Sequence, residues 1–103
     1  MTAANPAAAD IIATLRANEK GLRELGIEHV ALFGSRARGD NRPGSDIHIL
    51  IETRPAAVRT MYDYAGLKLA IEGLFPLPTD VINRAFLKPS IRPVAEQHLI
   101  YAF

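Results

Sequence analysis

The chain has 103 residues, enough for one hydrophobic core and too few for two. Nearly half of them (49%) are hydrophobic with charges mixed in, and the net charge is only +1, so neither a disordered polyelectrolyte nor a strong nucleic-acid field is expected. Cysteine is absent, which excludes a disulfide framework and any thiolate metal site.

The opening residues, Met1-Thr2-Ala3-Ala4-Asn5-Pro6, lack the basic n-region and apolar run of a signal peptide. No stretch approaches the roughly 18–20 apolar residues that span a bilayer. A cytoplasmic protein without membrane contact is expected. Residues 1–9 read as a flexible tail, leaving 10–103 as a single domain.

Asp10 is a suitable N-cap for a first helix, whose apolar face carries Ile11, Leu15, Leu22 and Leu25, with polar Asn18 interrupting the stripe and Gly26 ending it. His29–Phe33 is a short, mostly apolar strand running straight into Gly34-Ser35. Arg36 to Ser45 is polar and broken by Gly39, Pro43 and Gly44. A second strand spans Asp46–Glu52, and because Leu50 is apolar as well as its neighbours, it suits coverage on both faces. After Thr53-Arg54-Pro55 a long helix is predicted from Ala57 to Phe75, with a broad apolar face that includes Met61, Tyr64, Ala65, Leu67, Leu69, Ile71 and Leu74. Pro76 and Pro78 precede a third strand, Thr79–Asn83, and Lys88-Pro89-Ser90 introduces a final helix over Ile91–Tyr101. The predicted fold class is α/β (α+β), a small mixed sheet of three to four strands with helices packed on it, in the order α-β-turn-β-α-β-α. The closing Leu99-Ile100-Tyr101-Ala102-Phe103 either docks on the core or forms a protein interface.

Chemistry concentrates between Leu32 and Ile49. A Gly34-Ser35 pair between strand and helix lets the backbone approach a ligand closely, and the first amides of the new helix, with the serine hydroxyl, then face an incoming phosphate. Arg36 and Arg38 read either as phosphate contacts, for which guanidinium is well suited, or as solvated loop charges. Asp46 and His48 project from one strand face about 7 Å apart, and paired acids so placed can hold divalent ions against a triphosphate. Asp80, opening the third strand, can add a further acid, or can be a turn residue after Pro78-Thr79. His29 and His98 are assigned no role, and Asp40 and Glu52 read as surface charges.

Gly34-Ser35-Arg36-Ala37-Arg38-Gly39, the gap to Gly44-Ser45 and Asp46 opening an apolar strand together resemble the nucleotidyltransferase signature of the DNA polymerase beta superfamily, and its minimal nucleotidyltransferase (MNT) proteins in particular. The resemblance implies transfer of a nucleoside monophosphate from ATP, or another nucleoside triphosphate, to a hydroxyl acceptor with magnesium, manganese being the alternative ion. Many minimal members resemble antitoxins of type VII-like pairs, whose partner is a helical HEPN ribonuclease toxin that some of them adenylylate on tyrosine. Carried onto this chain, Gly34 and Ser35, with Arg36 and Arg38, would hold the triphosphate. Asp46, His48 and Asp80 would stand at the metal, with Asp46 and Asp80 the catalytic acids and Asp80 a ligand or base. The departure is His48, where the family has Asp or Glu. Magnesium prefers hard oxygen ligands, and a neutral imidazole brings no negative charge to offset two dications. Three readings stay open: an adenylyltransferase, a degenerate antitoxin that neutralises its partner by occlusion, and a free-standing nucleotide-binding or regulatory domain with no protein partner. A small-hydroxyl acceptor is disfavoured because such enzymes need a second domain, and RNA extension because no strong basic face is present.

Overall fold

The computed structural model describes residues 6–86 and 98–103. Helix α1 (Ala8–Ala17) and helix α2 (Glu19–Glu24) lead into strand β1 (Ile27–Phe33). A one-turn helix α3 (Ser35–Arg38) follows, then β2 (Ile47–Thr53), α4 (Met61–Glu72), β3 (Thr79–Asn83) and a 3₁₀ turn at Arg84–Phe86; β4 (Ile100–Tyr101) comes last. The four strands form one mixed sheet in the order β3-β2-β1-β4. β1 is antiparallel to both β2 and β4, while β2 and β3 are parallel and joined by α4.

One sheet face carries the core. Val30 and Leu32 of β1, Ile47, Ile49 and Ile51 of β2 and Val81 of β3 meet Ile11, Ile12, Leu15 and Leu22 from the first two helices and Leu67 and Ile71 from α4. Alternation would turn Glu28 rather than Ile27 toward this core, but the β1–β2 register shifts between Ile27 and His29, and the resulting bulge seats Ile27 inside. The opposite face holds Phe33, His48 and Asp80, so β2 divides apolar packing from polar chemistry residue by residue. Leu50, on that second face, is buried too, as its apolar character requires.

The first helix breaks in two at Asn18, whose side-chain amide donates to the Thr14 carbonyl (2.8 Å) in place of a continuing backbone ladder. It also begins two residues before Asp10. Ala7 is the N-cap, and Asp10 sits in the first turn with its carboxylate accepting the Ala7 amide (3.2 Å). α4 is shorter than the Ala57–Phe75 expected. Thr60 and Asp63 form a capping box: the Thr60 hydroxyl accepts from the Asp63 amide (3.3 Å) and Asp63 accepts from the Thr60 amide (3.2 Å). Only Leu67 and Ile71, one turn apart, are buried on α4, and Met61 and Leu69 face solvent, so its apolar face is narrower than the composition suggested.

The final helix proposed over 91–101 needs correction where it can be judged. Residues 91–97 lie outside the described residues, but Ile100 and Tyr101 are a strand, paired with Leu32 and Ala31 of β1. The open edge of β1 supplies the reason, because its backbone groups need partners. The Ala102 amide donates to the Val30 carbonyl (2.8 Å), the Val30 amide to the Phe103 carbonyl (3.3 Å), and the Arg16 side chain to the Ala102 carbonyl (2.8 Å). The apolar end thus docks on its own sheet, with Ala102 in the core. Among the described residues no helix is long and apolar enough to cross a membrane.

Candidate nucleotide site

The site is assembled where β1 ends and β2 and β3 begin. Phe33, the last residue of β1, lies opposite His48, and His48 lies opposite Asp80 in the parallel β2–β3 register. Neighbouring strands are about 4.8 Å apart, so Phe33, His48 and Asp80 form a row across the sheet's polar face. The Phe33 and His48 rings stack at a tilt of 31° with centroids 5.5 Å apart. Asp46 is exposed one residue before β2, whose first amide, on Ile47, donates to the Pro78 carbonyl (3.0 Å).

Gly34 turns the chain off the strand at φ +81°, ψ −158°, a conformation open essentially to glycine alone. A β-carbon built there would stand 2.9 Å from His48 Nδ1. The backbone of the turn is therefore pressed against the imidazole, and the loop after β1 meets the start of β2. Ser35 then opens α3, with the amides of Ala37 and Arg38 both donating to the Gly34 carbonyl (3.1 Å each). Ser35 is the first residue of this turn, so its amide stands ahead of the first helical acceptor.

The two arginines separate. Arg38 is exposed, and its Nε donates to Asp40 Oδ2 (3.1 Å) across a solvent-facing pair. Arg36, expected among the phosphate contacts, is instead buried at 2% exposure and donates to the backbone carbonyls of Ser45, Pro43 and Pro6. It belongs to the frame of the loop. Sequence reasoning had no signal for this, because Arg36 and Arg38 have the same spacing from polar surroundings and only the folded loop puts carbonyls around one of them.

Sequence reasoning also missed Phe33 and Tyr64. Phe33 precedes the glycine turn as an ordinary strand residue, yet its ring backs the imidazole. Tyr64 of α4 donates its hydroxyl to the Val81 carbonyl. Burial raises its phenol above the ordinary value near 10; the nearby Asp80 charge adds to the rise, a backbone hydrogen bond at Asn83 opposes it, and Glu72 contributes last. Asp80 is thus felt electrostatically by α4 as well as standing in the row with His48.

Whether magnesium fits can be judged from the donors. Asp46 and Asp80 offer carboxylate oxygens, but the central position carries a nitrogen whose Nδ1 faces the Gly34 backbone. Among the described residues no three His, Asp or Glu side chains converge tightly enough to hold a metal ion. The set Asp46, His48 and Asp80 is brought to one edge of the sheet without forming a ready-made ligand cage, and a two-magnesium clamp does not fit it.

With a glycine turn pressed on a strand that an exposed acid opens and a second acid on the parallel neighbour, the topology can be compared with known proteins. A family model for the nucleotidyltransferase domain matches residues 15–102. The chain belongs to that family. It is of the minimal type: a solved candidate minimal nucleotidyltransferase superimposes with a TM-score of 0.65 at 34% identity, covering 86% of this chain and 93% of the other. Protein adenylyltransferase MntA of Thermococcus cleftensis is 28% identical over 93 residues, 89% of this chain and 92% of its own length. A candidate protein adenylyltransferase of Methanocaldococcus jannaschii is 32% identical over 89 residues, 84% of this chain and 89% of that one. A toxin–antitoxin structure with AMP-PNP shares the fold of this minimal nucleotidyltransferase, with a TM-score of 0.64 at 16% identity over 85% of this chain and 72% of the other.

Proposed function

We propose that this minimal nucleotidyltransferase is the antitoxin of a type VII-like toxin–antitoxin pair. It binds ATP at the Gly34-Ser35 turn and acts on a helical, HEPN-type toxin, the family reaction being transfer of AMP to a tyrosine hydroxyl of the partner. The observation that carries this reading is the packing of Gly34 against His48, which brings the turn to the edge of the sheet where Asp46 and Asp80 stand. The adenylyltransferase names of the relatives matched over most of their length support the nucleotide and the acceptor class.

In this reading the Ser35 amide and hydroxyl donate to phosphate oxygens. Arg38 leaves its exposed pair with Asp40, which holds it by at most about 1 kcal/mol, to add a guanidinium. In the transfer itself the tyrosine oxygen bonds to the α-phosphorus, the bond to the β-phosphate breaks, and pyrophosphate departs. Asp80, exposed at the start of β3, accepts the phenolic proton. A bound divalent ion would supply charge neutralisation, with Asp46 and Asp80 as its oxygen ligands and no third carboxylate at the His48 position.

That imidazole favours a second reading, in which the chain neutralises its partner by occlusion with or without bound nucleotide. One experiment separates the two. The protein and its co-expressed partner are incubated with labelled ATP under magnesium and under manganese, alongside Asp46→Asn. Label on the partner that Asp46→Asn abolishes supports transfer. A stable complex with no label under either metal supports occlusion. Absence of both complex and ATP binding refutes the proposal.

A further inference from the structure

Arg36 is the one charged side chain that is buried among the described residues. A guanidinium leaves water only where its planar fork of donors finds fixed acceptors. Here Nε and Nη2 both donate to the Ser45 carbonyl (3.2 and 2.8 Å), Nη2 also to the Pro43 carbonyl (3.3 Å), and Nη1 to the Pro6 carbonyl (3.0 Å). These acceptors lie on two separate segments, the loop that precedes β2 and the residue just ahead of the N-cap of α1.

The sequence neighbours of this contact give it meaning. Arg36 directly follows Ser35, and Ser45 directly precedes Asp46. One side chain thus spans from the turn to the acid. At its start the loop is held to α3 by the Gly39 and Asp40 amides on the Ser35 carbonyl (2.8 and 3.1 Å), and at its tip it has a turn closed by the Ser45 amide on the Arg42 carbonyl (3.0 Å) and the Arg42 amide on Ser45 Oγ (3.0 Å), with Pro43 and Gly44 inside it. That turn shapes the tip of the loop but does not tie it to α3. The Arg36 fork ties this far end, Pro43 and Ser45, back to α3.

We infer that Arg36 is a positioning residue, a buried tether that sets the separation between the Gly34-Ser35 turn and Asp46 and thereby the geometry of the candidate nucleotide site. The inference rests on the site reading above for its functional consequence, while the tether itself stands on the hydrogen bonds. Lysine cannot reproduce it, since a compact ammonium lacks the planar fork whose separate nitrogens reach three carbonyls on two segments.

The test compares the full chain with Arg36→Lys, using Arg36→Gln if the lysine variant does not fold. Backbone ¹⁵N relaxation reads the order of residues 40–46 against the strands 47–53 and 79–83, and titration with ATP and manganese reads affinity. The expected result is a folded variant in which order falls in 40–46 alone, and an ATP Kd raised by about tenfold or more. Adding Asp46→Asn should then cost less in the Arg36→Lys background than in wild type, a coupling that a general loss of stability does not produce. Unchanged order in 40–46 overturns the tether whether or not ATP binds. Additive effects, or failure of both variants to fold, overturn a specific positioning role. Loosening of 40–46 in a protein whose wild type binds no ATP upholds the tether and overturns the site reading instead.

Discussion

Gly34→Ala is the sharpest test of how the turn is built. Two costs can be worked from the structure. The backbone at φ +81°, ψ −158° lies in a region essentially reserved for glycine, and holding alanine there costs about 1–3 kcal/mol. The new methyl would also stand 2.9 Å from His48 Nδ1, so the ring must move. Phe33 lies 5.5 Å away on a centroid basis and limits where it can go, so an off-rotamer imidazole adds about 0.5–1.5 kcal/mol. Together these come to about 1.5–4.5 kcal/mol, which for a domain of this size lowers Tm by roughly 6–30 °C. Differential scanning calorimetry of four proteins separates the two costs: wild type, Gly34→Ala, His48→Ala and the double variant. In the His48→Ala background the glycine substitution should cost about 1 kcal/mol less, because the steric part is gone while the backbone strain remains. A Gly34→Ala protein melting within about 2 °C of wild type would refute both the strain and the close approach.

Other consequences follow from neighbouring residues. His48→Asp places a third carboxylate beside Asp46 and Asp80; the variant should melt lower than wild type in chelator and recover on adding manganese, and its manganese affinity by calorimetric titration should exceed that of wild type. No gain in affinity would mean that the imidazole is not what keeps a metal from the site. Thr60→Ala removes the α4 cap and should cost about 1 kcal/mol in urea denaturation, whereas the same change at half-buried Thr14, outside any cap, should cost less. Tyr64 keeps its proton to higher pH in the fold than in the unfolded chain, chiefly through burial and then through Asp80. The stability linked to it is therefore complete below about pH 10 and is lost as pH rises through the raised folded value. Tyrosinate absorbance should show one late-titrating phenol, and Asp80→Asn should bring it back toward the ordinary value; titration of that phenol at or below the ordinary value would contradict the assignment.

The motif region was legible because its chemistry is local. Gly34-Ser35 had to be a turn between strand and helix, and Asp46 had to open a strand, whichever helices packed behind. Strand β3 also read correctly from Thr79 to Asn83, since Pro76 and Pro78 end what precedes it. Element ends were harder to read where a side chain competes with the backbone. Asn18 took the Thr14 carbonyl and split a helix, and the Thr60–Asp63 box started α4 later than its apolar residues suggested.

By itself, then, the order of residues determined most of the elements, the motif that links them, and that a histidine stands where the resemblance implies an acid. Those properties depend on near neighbours and survive without knowledge of the packing. Tertiary structure alone decided the rest. It made Ile100-Tyr101 a strand, because the bare edge of β1 needed hydrogen-bond partners from somewhere far along the chain. It also divided two similar arginines into an exposed one and a buried tether, because only the closed loop brings the carbonyls of Pro6, Pro43 and Ser45 around the same guanidinium. A pairing as distant as Leu32 with Ile100, and side-chain bonds to carbonyls of other segments, leave no periodicity in the sequence to read.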